Sequence, residues 1–118
     1  MTDRPSTSPQ GLWLPLVTPF RDGLLDEASL RRLVAHYAAE PIDGMIVAGT
    51  TGEEATLDAE ETERLVAVAR AELRRLGSAL PLYLGLSGND TRKLIQTMRQ
   101  RESWPVDGYL IATPYYTR

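Results

Sequence analysis

A pair of adjacent threonines in a glycine loop is the first feature of this sequence that could do chemistry. Thr50 and Thr51 stand between Gly49 and Gly52, directly after the apolar run 45–48. That run predicts a buried strand, and ligands of parallel α/β proteins bind at the carboxyl ends of such strands. Two hydroxyls and several backbone N–H groups could converge there on one ligand. The same pattern also fits a turn in which the hydroxyls cap the local backbone.

A pair of adjacent tyrosines, Tyr115 and Tyr116, follows a second strand that begins like the first. Asp-Gly opens both strands, at 43–44 and again at 107–108. Because the carboxyl ends of parallel strands lie at one edge of a sheet, the threonine and tyrosine pairs are expected to share one site. Taken alone, tyrosines after a strand fit either packing or catalysis.

The composition is that of an ordinary soluble globular protein, and it excludes several kinds of site. A net charge of -3 gives no reason to expect nucleic acid or a membrane as partner. The chain has no cysteine and one histidine, His36, so we expect no metal site. No apolar run approaches the ~20 residues of a transmembrane helix, and no signal-peptide core is present, so a cytoplasmic location is expected.

Strand and helix patterns alternate along the chain and must position these residues. Apolar runs predict four strands, at 12–17, 45–48, 80–86 and 109–112, with a turn at 21–23. Pro15 in the first run predicts either an edge strand or an irregularity in the strand, because proline lacks the N–H that a ladder needs. The first ten residues are rich in Ser, Thr and Pro and predict a flexible leader, residues 1–10.

Three helices are predicted between these strands, with N-caps at Asp26, Asp58 and Asp90 and a C-terminal cap at Gly77. Residues expected on their buried stripes are Leu30, Leu33, Val34, Tyr37, Ala38, Leu65, Val66, Ala69, Leu73, Leu76, Leu94, Ile95 and Met98. The alternation predicts parallel strands joined by right-handed helical crossovers. A small open doubly wound sheet and one half of a (β/α)8 barrel both fit.

The loops after the four strands resemble those of one known family. They are Thr-Pro-Phe at 18–20, Gly-Thr-Thr-Gly-Glu at 49–53, Gly-Asn-Asp-Thr at 88–91 and Thr-Pro-Tyr-Tyr at 113–116. In this order they resemble the dihydrodipicolinate synthase/N-acetylneuraminate lyase superfamily of pyruvate-dependent class I aldolases. The double threonine and the Pro-Tyr-Tyr favour the synthases, which act in lysine biosynthesis, over the sugar-acid lyases. The resemblance implies an α/β fold in which residues 11–118 form the N-terminal half of a (β/α)8 TIM barrel.

The resemblance also implies roles for the four hydroxyl residues. Thr50 and Tyr116 would be catalytic, as members of a hydroxyl relay that moves protons while pyruvate forms a Schiff base with a lysine. Thr51 would bind the pyruvate carboxylate, and Tyr115 would lie at the interface of a homodimer or homotetramer. The implied partners are small molecules, pyruvate and an aldehyde such as aspartate semialdehyde, and no bound cofactor is implied.

The single lysine, Lys93, falls in the first turns of the third predicted helix. That position suits a surface cation, whereas a Schiff-base lysine must be desolvated. The resemblance therefore implies that the catalytic lysine lies outside these residues and that the chain alone is inactive. Two alternatives stay open. One is a related lyase, such as a 2-keto-3-deoxy sugar acid aldolase or N-acetylneuraminate lyase, and the other is a stand-alone α/β module that binds an anion at the loop 49–52.

Overall fold

Strands alternate with helices in the computed structural model, which describes residues 10–49, 52, 57–87 and 90–111. In chain order the elements are β1 (Trp13–Pro15), β2 (Phe20–Arg21), β3 (Leu24–Leu25), α1 (Glu27–Ala38), β4 (Gly44–Val47), α2 (Ala59–Arg75), β5 (Leu82–Leu86), α3 (Thr91–Gln100) and β6 (Gly108–Ile111). The four predicted strands and three predicted helices are confirmed. The predicted leader lies outside the described residues, apart from Gln10.

The predicted turn at 21–23 is in fact a small antiparallel hairpin of β2 and β3. Asp22 and Gly23 connect the two strands with φ angles of 54° and 79°. Asp-Gly is a preferred pair for two-residue hairpin loops, because these loops need positive φ. Each strand has two residues, too few for a periodic pattern to reveal in the sequence.

The other four strands form one parallel sheet in the order β1-β4-β5-β6. Sheet order follows chain order, so each right-handed crossover moves in the same direction and places its helix on the same face. A doubly wound sheet would instead reverse direction at a switch point. The observed order is therefore that of consecutive strands in a (β/α)8 barrel. Pro15 lies in β1, an edge strand among those described, as its missing N–H predicted.

The core lies between the sheet and its helices. The central strands contribute Met45, Val47, Leu82 and Leu84, each at most 1% exposed. The helices contribute Leu30, Val34, Leu65, Val66, Val68, Ala69, Leu73 and Leu94. The predicted burial is wrong for two stripe residues, since Leu76 and Ile95 are 40% and 44% exposed. Leu76 is the C-cap after the last residue of α2, and Ile95 borders a surface groove between α3 and β6.

The predicted caps define the helix ends. The Asp26 and Asp90 carboxylates each accept first-turn N–H groups, of α1 and α3. Asp58 and Glu61 form a capping box at the start of α2, with hydrogen bonds of 2.7 and 3.1 Å. Gly77 follows α2 with a φ of 67°, as expected of a C-terminal glycine.

The repeated Asp-Gly dipeptide lies at the amino end of the sheet. Asp43 donates its N–H to the Leu12 carbonyl at 2.7 Å, and its carboxylate accepts the Leu12 N–H at 2.6 Å. Asp107 makes the same two bonds with Leu82, both at 2.8 Å. Each carboxylate thus extends the parallel ladder by one rung, so the repeat organises the sheet rather than the carboxyl-end site.

Candidate functional site

The carboxyl end of β4 leads into the predicted ligand loop through an unusual backbone conformation. Strand β4 ends at Val47, and Ala48 follows with a φ of 55°. A residue with a Cβ adopts this left-handed region at a cost of roughly 1–2 kcal/mol. Ala48 is nevertheless fully buried. Strain of this kind persists where the surroundings enforce it, and it is frequent beside ligand sites.

Gly52, at the other end of the loop, packs against the end of β1. A Cβ at this position would lie 2.9 Å from the Leu16 carbonyl oxygen and 3.1 Å from both Ala48 N and Thr18 Oγ1. The Thr18 hydroxyl donates a hydrogen bond to the Gly52 carbonyl at 2.5 Å, and Thr18 is 5% exposed. The loop therefore returns to the point where it leaves β4, and Thr18 holds it there.

Strand β5 packs against the start of the loop, on the side of β4 that faces away from β1. A Cβ on Gly85 would lie 2.5 Å from the Ala48 carbonyl oxygen and 2.8 Å from the Gly49 Cα. Such a close approach between two backbones requires glycine. The start of the loop thus lies between the end of β1 and the middle of β5.

Thr18 is itself held by the segment that leads to α1. Asp26 donates its N–H to the carbonyl of Pro19, the residue after Thr18, at 2.9 Å. The Ser29 hydroxyl and N–H donate to the Asp26 carboxylate, and these hydrogen bonds lower the pKa of Asp26 below its ordinary value. The same hydrogen bonds fix the start of α1 beside this edge of the sheet.

The four residues predicted to act in the site, Thr50, Thr51, Tyr115 and Tyr116, lie outside the described residues. The structure places the residues on either side of the threonine pair, Gly49 and Gly52, but it does not test the roles predicted for the four side chains. Those roles stay predictions.

Two further residues can be compared with their predictions. Lys93 is exposed in the first turn of α3, as expected of a surface cation. Thr18 was noted in the sequence only as part of a loop motif, and its contact with the ligand loop was missed. The available signal was a hydroxyl placed directly after an edge strand, at the same sheet end as the threonine loop.

Neither a metal cluster nor a membrane span is found in the part of the chain that the structure describes. No group of three or more His, Cys, Asp or Glu side chains there could hold a metal ion. No helix there has the length and apolar character needed to cross a membrane. His36 is exposed and contacts the Tyr37 ring edge-on, with centroids 4.8 Å apart.

The chain is similar to one enzyme family over most of its length. Residues 8–118 match the Dihydrodipicolinate synthetase family. A 4-hydroxy-tetrahydrodipicolinate synthase from Pelobacter propionicus is 36% identical over 109 residues, or 92% of this chain and 37% of the relative. The structure of the 4-hydroxy-tetrahydrodipicolinate synthase from Methylacidiphilum fumariolicum SolV matches with a TM-score of 0.83 at 33% identity, covering 94% of this chain and 36% of that one.

A third relative is known with a ligand. The chloride-inhibited dihydrodipicolinate synthase from Acinetobacter baumannii, solved in complex with pyruvate, matches with a TM-score of 0.81 at 30% identity. The match covers 91% of this chain and 36% of that protein. The chain thus spans little more than a third of the length of the relatives it matches.

The fold and the comparisons agree on the architecture. The four parallel strands and their helices correspond to the N-terminal half of a (β/α)8 TIM barrel, as predicted. The family match extends from the residues before β1 to the last residue of the sequence. The chain therefore belongs to the dihydrodipicolinate synthetase family.

Proposed function

We propose that this protein supplies the N-terminal part of a pyruvate-dependent class I aldolase that condenses pyruvate with aspartate semialdehyde. The observation that carries the proposal is the family match over residues 8–118. The names of the relatives and the pyruvate complex of the Acinetobacter baumannii protein support the choice of reaction and substrate.

The residue types of the loop at 49–52 suit a small anionic substrate. The loop leaves and returns at one point, between the end of β1 and β5. Backbone N–H groups and a threonine hydroxyl are suitable donors to a carboxylate, and such charge-assisted bonds are about twice as strong as neutral ones. In this proposal Thr51 binds the pyruvate carboxylate through its hydroxyl and its backbone N–H.

The proton transfers of Schiff-base formation are assigned to hydroxyl groups. Addition of an amine to the pyruvate carbonyl gives a carbinolamine, and its dehydration requires a proton on the departing hydroxyl. Thr50 and Tyr116 are proposed to relay these protons. Tyr115 is proposed to lie at the subunit interface of a homodimer or homotetramer.

The amine itself is proposed to come from a part of the enzyme that this sequence does not contain. Lys93 is the single lysine here, and it is exposed on α3. A lysine that forms Schiff bases needs a desolvated or electropositive environment to be nucleophilic. Residues 1–118 alone are therefore proposed to be inactive.

A chimera provides the test. Residues 1–118 would be joined to the part of the Pelobacter propionicus synthase that follows its matched region. Incubation with pyruvate and borohydride should add one reduced pyruvate to a lysine, detected by mass spectrometry. Aspartate semialdehyde should be consumed only when pyruvate is present.

Two controls complete this test. The unaltered Pelobacter propionicus enzyme should form the adduct, and residues 1–118 alone should not. A folded chimera that forms no pyruvate adduct would contradict the proposed function. An adduct without turnover of aspartate semialdehyde, but with turnover of sugar-acid substrates, would favour a 2-keto-3-deoxy sugar acid aldolase or an N-acetylneuraminate lyase instead.

A further inference from the structure

We infer that Thr18 is a positioning residue, whose hydroxyl holds Gly52 against the end of β1, next to the proposed pyruvate-binding residue Thr51. The inference rests on the proposed function for the identity of that substrate, pyruvate. The contact on which it depends is independent of any function. Thr18 and Gly52 are 34 residues apart in the chain, and their hydrogen bond is buried.

The hydroxyl is needed because the group it contacts is buried. Gly52 lies in a space bounded by Leu16, Ala48 and Thr18, where even a methyl group would collide with the neighbouring backbone. A buried carbonyl that loses its donor destabilises the local structure by roughly five- to a hundredfold in its equilibrium constant. Loss of the Thr18 hydroxyl should therefore favour conformations in which Gly52 moves away from β1.

Thr18 can act as a fixed point because both of its flanks are anchored. On one side the Leu16 N–H donates to the Ile46 carbonyl at 2.8 Å, which joins β1 to β4. On the other side the Pro19 carbonyl accepts the N–H of Asp26, the N-cap of α1. A side chain held between two rigid elements positions its partner more accurately than one on a free loop.

Gly52 directly follows Thr51, the residue proposed to bind the pyruvate carboxylate. Two residues, Thr50 and Thr51, separate Gly49 from Gly52 in the sequence. If Thr51 binds the pyruvate carboxylate, a loosened Gly52 should weaken pyruvate binding as well as turnover.

Hydrogen exchange on the 118-residue chain tests the contact without requiring activity. Thr18→Val removes the hydroxyl and keeps the shape, whereas Thr18→Ser keeps the hydroxyl. The matched control is Thr62→Val, because Thr62 is equally buried but its hydroxyl donates within α2, to the Asp58 carbonyl. Thr18→Val should speed amide exchange in the peptide 48–52 about tenfold relative to the peptide 63–75, and the two other variants should leave that ratio within about twofold.

Kinetics in the chimera separate positioning from a general loss of stability. Thr18→Val should raise the KM for pyruvate about tenfold, and Thr18→Ser should restore it to within about threefold. A purely structural role would instead reduce the amount of active enzyme and leave KM unchanged. If Thr18→Val does not fold, Gly52→Ala tests the same contact from the loop side and should give the same pattern.

The inference is overturned if folded Thr18→Val or Gly52→Ala leaves the exchange ratio of the peptide 48–52 unchanged. It is also overturned if KM is unchanged in an active chimera. Failure of the proposed function looks different, because the chimera would then form no pyruvate adduct while the effect on hydrogen exchange persisted.

Discussion

The strand pair β1–β4 and the strand pair β5–β6 are built on the same local plan. Each has a carboxylate bonded to the start of the neighbouring strand, and each has an aromatic ring lying over the glycine that follows. A Cβ on Gly44 would lie 2.4 Å from the Trp13 ring, and one on Gly108 would lie 2.5 Å from the Tyr83 ring. The two aromatic rings also contact each other, with centroids 4.6 Å apart, so the two pairs meet on this face of the sheet.

The two pairs differ in how they are tied to the helices. Asp107 accepts a hydrogen bond from Arg70 Nη2 at 2.8 Å, and Arg70 Nε donates to the Pro105 carbonyl at 2.8 Å. The Arg70 side chain is only 15% exposed. Asp43 makes no ion pair among the residues that the structure describes. In the β5–β6 pair the Asp-Gly dipeptide is therefore anchored to helix α2. In the β1–β4 pair it is bonded, among the described residues, only to the start of the neighbouring strand.

The comparison predicts its largest effect at Asp107. Asp107→Ala should destabilise the protein by about 2–3 kcal/mol, because the Leu82 N–H and the Nη2 group of Arg70 both lose their acceptor. Asp43→Ala should cost about 1 kcal/mol, because water can replace the exposed bond to Leu12. Urea denaturation measures both. Equal losses would show that the anchoring by Arg70 has no energetic consequence.

A smaller and more symmetric effect is expected at the two glycines. Gly44→Ala and Gly108→Ala should each cost about 1–2 kcal/mol, because the new methyl group displaces a ring that is pinned by the other ring. In a double-mutant cycle, Trp13→Leu should make Gly44→Ala nearly neutral. In the same background, Gly108→Ala should still destabilise the protein more than Gly44→Ala does. Thermal or urea unfolding would reveal this non-additivity, and strict additivity would contradict the packing of Trp13 over Gly44.

A substitution on α2 should remove the difference between the two pairs. Arg70→Met keeps much of the apolar stem and loses the guanidinium, and we expect it to cost about 1 kcal/mol. In the Arg70→Met background, Asp107→Ala should become about as mild as Asp43→Ala. A double-mutant cycle of unfolding free energies measures this coupling. An undiminished effect of Asp107→Ala would place its importance in the Leu82 contact alone.

The smallest expected effect is a loss of stability at low pH, and it arises from the ion pair between Glu27 of α1 and Arg64 of α2. The two Asp-Gly contacts do not depend on this ion pair. Hydrogen bonds from Arg64, at 2.6 and 2.7 Å, lower the pKa of Glu27 below its ordinary value of 4.5. Because the folded-state pKa is the lower one, this contribution is complete above pH 4.5 and is lost as pH falls through the folded value.

Urea midpoints measured between about pH 5 and about pH 3 provide the corresponding test. The wild type should lose more stability over that range than Glu27→Gln, which has no charge to titrate at this position. At neutral pH, Asp43→Ala and Asp107→Ala should differ in their loss of unfolding free energy by the same amount in the wild type and in Glu27→Gln. A parallel acid response of the wild type and Glu27→Gln would show that the ion pair with Arg64 makes no contribution.

Much of the fold followed from local signals in the sequence. Carboxylates at Asp26, Asp58 and Asp90 have few roles other than N-capping when an apolar helical pattern follows at once. Continuous apolar runs between helices indicate strands covered on both faces. Leu76 and Ile95 were misplaced because helical periodicity indicates which side of a helix is apolar, but not where the neighbouring element ends.

The position of the ligand loop at the sheet end was predicted from the sequence, whereas the roles of its side chains stay predictions. The threonine loop could be placed at the carboxyl end of β4 because a glycine-bounded hydroxyl pair follows a buried strand. Its contact with Thr18 could not, because the two segments are brought together by the pairing of β1 with β4. The positive φ of Ala48 was also hidden, since alanine gives no sign of a left-handed conformation.

By itself, the sequence determined that four strands alternate with three helices, which residues cap the helices, and which family the loops resemble. These properties depend on neighbouring residues, so patterns a few residues long are enough to reveal them. The tertiary structure decided which of two identical Asp-Gly dipeptides is anchored to a helix, and which hydroxyl holds the ligand loop. Those contacts join residues more than 30 positions apart, and they exist only once the parallel strands have paired.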